Sequence, residues 1–189
     1  MKYFKYLGTF LLLLFPITVV AYGKPLKILV PEIAGVECYE KSICVDDISK
    51  LSEATALYEK SIKVISNKLS PISSEPTVVF CSTENCFSSF GFNNQAAVSI
   101  ASVGIVISPR GWKDHYVTHE LIHQWQSDKY GVISSWLAPT WIKEGMAYYL
   151  SNDPREVLSE PFQSYRNQYK KAFGALRGSE IELTIKNRI

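Results

Sequence analysis

The chain has 189 residues, 20 Lys and Arg against 18 Asp and Glu, and a formal net charge of +2. That length allows one domain with a substantial core. Loss of a leader carrying Lys2 and Lys5 leaves 18 basic residues against 18 acidic ones, so charge offers no case for nucleic acid or an anionic membrane as the partner.

Lys2 and Lys5 precede a nearly continuous apolar run from Leu7 to Val20, followed by small residues around Ala21. A basic start, a short apolar stretch and a small-residue site describe a cleaved signal peptide, residues 1–21. The run is short for a spanning helix, which needs about 20 apolar residues. The remainder, residues 22–189, reads as one secreted or periplasmic domain with no stable membrane insertion after cleavage. Four cysteines, Cys38, Cys44, Cys81 and Cys86, agree with export. They allow three pairings. Short loops close easily, which favours Cys38–Cys44 and Cys81–Cys86.

In chain order, Leu26 to Val30 reads as a strand ending at Pro31, and Pro31 to Val45 as a loop held by the first cysteine pair. Asp46 or Asp47 is placed to cap a helix to about Leu69, with Ile48, Leu51, Ala54, Leu57, Tyr58, Ile62 and Ile65 at helical spacing. Thr77 to Phe80 reads as a strand. Cys81 to Asn94 has loop composition, with Phe87, Phe90 and Phe92 either lining a groove or packing under the loop. Ala96 to Ser108 reads as one strand or two pairing strands. Pro109 to Lys113 turns the chain, and Asp114 is placed to cap a helix whose buried side holds Val117, Leu121, Ile122 and Trp125. Thr140 is placed to cap a further helix. Asn152 or Asp153 with Pro154 starts another that Pro161 breaks, and a last helix runs from Phe162 to about Phe173 before a polar tail.

All three histidines lie within nine residues, at 115, 119 and 123. On a helix, His119 and His123 project from one face about 6 Å apart along the axis, so both imidazoles can meet one ion. Glu120 lies about 100° around from His119, within reach of a water on that ion rather than of the ion itself. His115 lies about 12 Å from His123 along the axis and cannot complete the set. A catalytic zinc usually takes three protein ligands. Glu144 follows His123 by 21 positions. That gap suits a helix, a loop legible in Lys129-Tyr130-Gly131 and Leu137-Ala138-Pro139-Thr140, and a second helix that brings Glu144 back to the ion. Two imidazoles and a carboxylate make one catalytic Zn²⁺ the expected cofactor.

His119-Glu120-Leu121-Ile122-His123-Gln124-Trp125, followed by Trp141-Ile142-Lys143-Glu144-Gly145-Met146-Ala147, resembles the gluzincin metallopeptidases. The likeness is above all to the catalytic core of M1-type aminopeptidases and their smaller "peptidase MA-like" relatives, which carry HELxHQW and then WxxEGxA. It covers roughly a quarter of the chain, from near Val103 to Leu150. It implies an α+β, zincin-like metallopeptidase domain: a short sheet beside an active-site helix, and a mostly helical C-terminal part. It implies His119, His123 and Glu144 as zinc ligands and Glu120 as general base. It further implies a sheet edge beside the metal helix that holds the substrate backbone, here expected at Ala101 to Val106. No Gly-x-Met-Glu-Asn segment is present, which leaves exo- and endopeptidase action open.

The expected activity is hydrolysis of a peptide or protein substrate by a metal-activated water. Tyr148 and Tyr149 stand near Glu144 in sequence as oxyanion donors, as partners that orient this ligand, or as packing residues. Tyr116 and the helix from Phe162 are further sources of a donor. Two alternatives remain: a catalytically silent exported zinc module that binds a protein, and a zinc hydrolase of a non-peptide amide. Oligomeric state is not legible.

Overall fold

Short apolar runs build the sheet. The computed structural model describes residues 23–39 and 43–188, so the expected leader lies outside the described residues. Five strands are formed, β1 (Glu37–Tyr39), β2 (Ile43–Val45), β3 (Thr77–Phe80), β4 (Ala97–Ile100) and β5 (Gly104–Ile107), in the order β1-β2-β3-β5-β4. The pairs β2–β3 and β3–β5 are parallel, while β1 and β4 run antiparallel at the two edges. The central strands carry no charge because both their faces are buried. Val78, Phe80, Ile105 and Ile107 face one apolar cluster, and Val79 and Val106 face another. The fold is α+β.

Helices cover both faces. Residues 23–29 form α1, where a strand is expected at Leu26 to Val30; the Val30 amide bonds the Leu26 carbonyl at 2.9 Å. A short apolar run does not by itself separate strand from helix. Only Ile28 is fully buried, while Leu26 and Leu29 face outward. The expected loop from Pro31 to Val45 instead holds a 3₁₀ turn, Pro31–Ala34, and the β1–β2 pair, in which Cys38 and Cys44 sit opposite one another and are bonded. Cys81 and Cys86 form the second bridge, so both local pairings hold. Two disulfides suit an oxidising, extracellular environment. No helix among the described residues is long and apolar enough to cross a membrane.

Asp47 caps a 3₁₀ turn by accepting from the Ser49 amide, and α2 (Leu51–Lys68) follows. Its buried positions are Ala54, Tyr58, Ser61 and Ile65, whereas Ile48 is exposed. Asp46 accepts instead from the Ser82 and Thr83 amides. The segment expected as loop after Cys81 contains α3 (Glu84–Ser89), capped by Thr83. Phe87, Phe90 and Phe92 are buried with Ile28, which decides for core over groove.

The second half is helical: α4 (Asp114–Tyr130), α5 (Val132–Leu137), α6 (Thr140–Leu150), α7 (Phe162–Phe173) and α8 (Ser179–Lys186). Val117, Leu121, Ile122 and Trp125 are fully buried on α4 as expected. The capping expectations at Asp114 and Thr140 are not met. Each is the first helical residue, and Asp114 instead pairs with Lys60. An acidic residue in the first turn still favours the helix dipole. Residues 151–161 form no helix and α8 occupies the expected polar tail, whereas α7 has the expected bounds.

Gly145 lets α6 and α7 touch. A methyl group there would stand 2.4 Å from the Tyr165 carbonyl oxygen and 2.8 Å from Tyr169 Cβ. Backbone cannot yield as a flexible side chain does. Gly145→Ala is expected to destabilise the protein by about 1–3 kcal/mol, seen as a lower urea midpoint at unchanged slope.

Candidate metal centre

Three donors converge from two helices. On α4, His119 and His123 share a face, and their Nε2 atoms are 3.2 Å apart. On α6, Glu144 faces them, with Oε2 3.5 Å from His119 Nε2 and Oε1 3.6 Å from His123 Nε2. One donor atom from each residue lies within 4.8 Å of the others, so the group can hold a metal ion. For bonds of about 2.0–2.1 Å, ligands at the corners of a tetrahedron stand about 3.3 Å apart. The two imidazole nitrogens stand at about that edge, and each lies 3.5–3.6 Å from a different oxygen of the one carboxylate. Two nitrogens and one carboxylate oxygen fit a borderline-soft cation that keeps one position open.

The packing that aims each donor is also visible. Gln126 is buried one turn beyond His123, and its Oε1 accepts from His123 Nδ1 at 2.9 Å. Its Nε2 donates to the Lys143 carbonyl at 3.1 Å, which settles which end of the amide faces the imidazole. The neutral His123 ring therefore keeps its proton on Nδ1, which leaves the Nε2 lone pair for an ion at the centre. Gln126 also ties α4 to the residue before Glu144. The i, i+3 spacing from His123 was the only sequence sign of it. Gln126→Leu is expected to weaken binding of a metal at these donors about 10- to 100-fold, read by competition with a chromophoric chelator.

Burial works to lower the His123 pKa, but the Glu144 carboxylate against the ring, helped by Glu120 and Gln126, carries it up to about 9. Burial likewise opposes ionisation of Glu144, yet the two imidazoles hold its carboxyl well below the usual range. A cation entering the centre therefore displaces a proton. Glu120 is nearly buried beside them and lends its charge to His123.

On the His119 flank, the Tyr148 ring meets the His119 ring edge-on with centroids 4.4 Å apart. Burial, then the charge of Glu144, pushes the Tyr148 phenol up to about 12, so it stays a donor at any ordinary pH. Tyr149 points the other way and packs on Tyr169 in the core. Arg155, unmarked in the sequence, lies 5.3 Å over the Tyr116 ring and 5.8 Å over the Tyr148 ring, pinned by Asp153. His115 is half-buried against Tyr116 and outside the donor group, and burial lowers its pKa.

On the His123 flank a cleft of about 220 Å³ opens beside the donors. Ser99 of β4, Ala101 just beyond it, and Val132 and Trp136 of α5 are among the residues that line it. The strand at the cleft is thus β4, not the expected Ala101 to Val106. Residues 101–103 are a turn and β5 lies inside the sheet, paired on both sides. The connection expected as a loop between the two donor-bearing helices carries α5. No protein-family model, curated protein or solved structure matches the chain.

Proposed function

We propose that the chain is an exported zinc-dependent peptidase of the gluzincin kind. One observation carries the reading: one donor atom from each of His119, His123 and Glu144 lies within 4.8 Å of the others, and the charge of the Glu120 carboxylate acts on His123 beside them. His119, His123 and Glu144 would hold the ion, which when bound would supply an acidified water and polarise the scissile carbonyl. Glu120 would act as the general base, taking a proton from the attacking water and delivering it to the leaving amine. Gln126 keeps His123 in the tautomer that can donate to the metal. Tyr148 is the phenol beside the ligands with a proton to offer the developing oxyanion. The open edge of β4 beside the cleft suits an extended substrate backbone. Export is supported by the two disulfides and by the apolar N-terminal segment.

The test is metal analysis of the mature protein together with digestion of a peptide library. One zinc per chain and cleavage lost on chelation are expected. Bound zinc without cleavage of any peptide would replace this reading with a zinc module that binds a protein.

A further inference from the structure

The cleft on the His123 flank has a composition that narrows its ligand. Its lining is mixed: Ala101, Val132 and Trp136 are apolar, among the polar Ser99, Gln126, Ser127 and Ser135. Trp136 is 75% exposed, a large apolar surface left facing solvent beside the metal ligands. Lys143 is the only lysine or arginine lining the cleft, and among the described residues no carboxylate pairs with it. Glu144, the only carboxylate there, is committed to the two imidazoles. The volume, about 220 Å³, is below the roughly 300–1,000 Å³ of sites for drug-sized ligands. It suits one amino-acid residue.

We infer that this pocket receives the carboxy-terminal residue of a peptide, with a large apolar side chain against Trp136 and Val132 and its free carboxylate at Lys143. An internal apolar residue would use the wall and leave the ammonium without a partner. An acidic side chain would use the ammonium and leave the indole bare. A terminal apolar residue uses both. An indole face gives a flat, apolar contact, and a lysine supplies a compact charge suited to a carboxylate. Lys143 directly precedes the ligand Glu144, so the captured carboxylate sits close to the centre, as the last peptide bond requires.

The inference rests on the peptidase reading and makes the enzyme a carboxypeptidase. Water is split across the last peptide bond: the C–N bond breaks, hydroxyl joins the acyl carbon, and a proton passes through Glu120 to the amine that leaves with the terminal amino acid.

The experiment uses the zinc-loaded mature chain and N-blocked tripeptides ending in free phenylalanine, its amide, free alanine, or glutamate amide. Free phenylalanine should be preferred over each of the others at least tenfold in kcat/KM. Trp136→Ala should abolish the phenylalanine-over-alanine ratio, and Lys143→Gln the acid-over-amide ratio, with one zinc retained in both. Titration calorimetry with N-acetylphenylalanine and its amide gives a reading without turnover: the acid should bind at least tenfold tighter to the parent, and equally in Lys143→Gln. Equal handling of acid and amide by the parent, a best substrate ending in glutamate amide, or ratios untouched by both variants overturns the inference. Cleavage without acid preference removes the pocket assignment and leaves a peptidase. Acid-selective binding without cleavage of any peptide does the reverse.

Discussion

Glu144→Ala is expected to lose zinc. Structural zinc sites with four ligands bind with about 10–16 kcal/mol, so one ligand contributes about 2.5–4 kcal/mol, roughly 70- to 900-fold in affinity. The variant should retain little metal after dialysis, and added zinc should no longer raise its melting temperature. In the parent, zinc at a hundredfold excess over its Kd adds about 2.7 kcal/mol. Without metal the variant still differs from the parent, because the carboxylate and the imidazoles hold one another. The folded pKa of Glu144 is lowered from 4.5, a stabilisation present above that value and lost as pH falls. That of His123 is raised from 6.5 to about 9, a stabilisation present below 6.5 and lost as pH rises through about 9. The metal-free parent should therefore exceed the variant in stability most clearly between about pH 4.5 and 6.5. A variant that binds zinc as tightly as the parent would remove Glu144 from the ligand set.

Glu120→Gln should keep the metal and lose the reaction. The amide has nearly the same shape and no basic oxygen, and Glu120 is not in the donor group. General base catalysis contributes about 10²–10⁴ in rate. We expect kcat to fall by that factor with one zinc still bound per chain. A glutamine variant that cleaves peptides at the parental rate would show that the base lies elsewhere. Equal losses of zinc and activity would mean that Glu120 supports the ligands rather than the water.

Helical phase alone sets His119, Glu120 and His123 in their mutual places, so Glu120 was legible in the sequence, whereas Glu144 was reached only through the length of the connection and the likeness of its motif. Gln126, which ties His123 to the carbonyl of Lys143, was not legible: a glutamine three residues after a histidine is common, and only the arrival of α6 gives it a second partner. Tyr148 and Tyr149 were equivalent on paper. The packing of α6 against α7 turns Tyr149 onto Tyr169 and leaves Tyr148 beside His119. Short segments were the weakest ground. Residues 23–29, α3, α5 and α8 have too few turns for periodicity to speak, and tertiary contacts decide their state. The strand at the cleft was displaced from Ala101–Val106 to β4, because a turn at residues 101–103 moves the following apolar run to the inside of the sheet.

By itself, the sequence determined the groups available: two imidazoles on one helical face with a carboxylate at its edge, a second carboxylate one connection away, and two cysteine pairs close enough in the chain to bridge. These follow from local geometry, where backbone period and loop length dominate. Only the tertiary structure decided the convergence of Glu144 to within 3.5–3.6 Å of the imidazoles, the hydrogen bond that sets the tautomer of His123, and the cleft formed by Ala101, Trp136 and Lys143. Each depends on elements distant in the chain, whose approach is set by the packing of whole faces, as at Gly145 where α7 comes within reach of the α6 backbone.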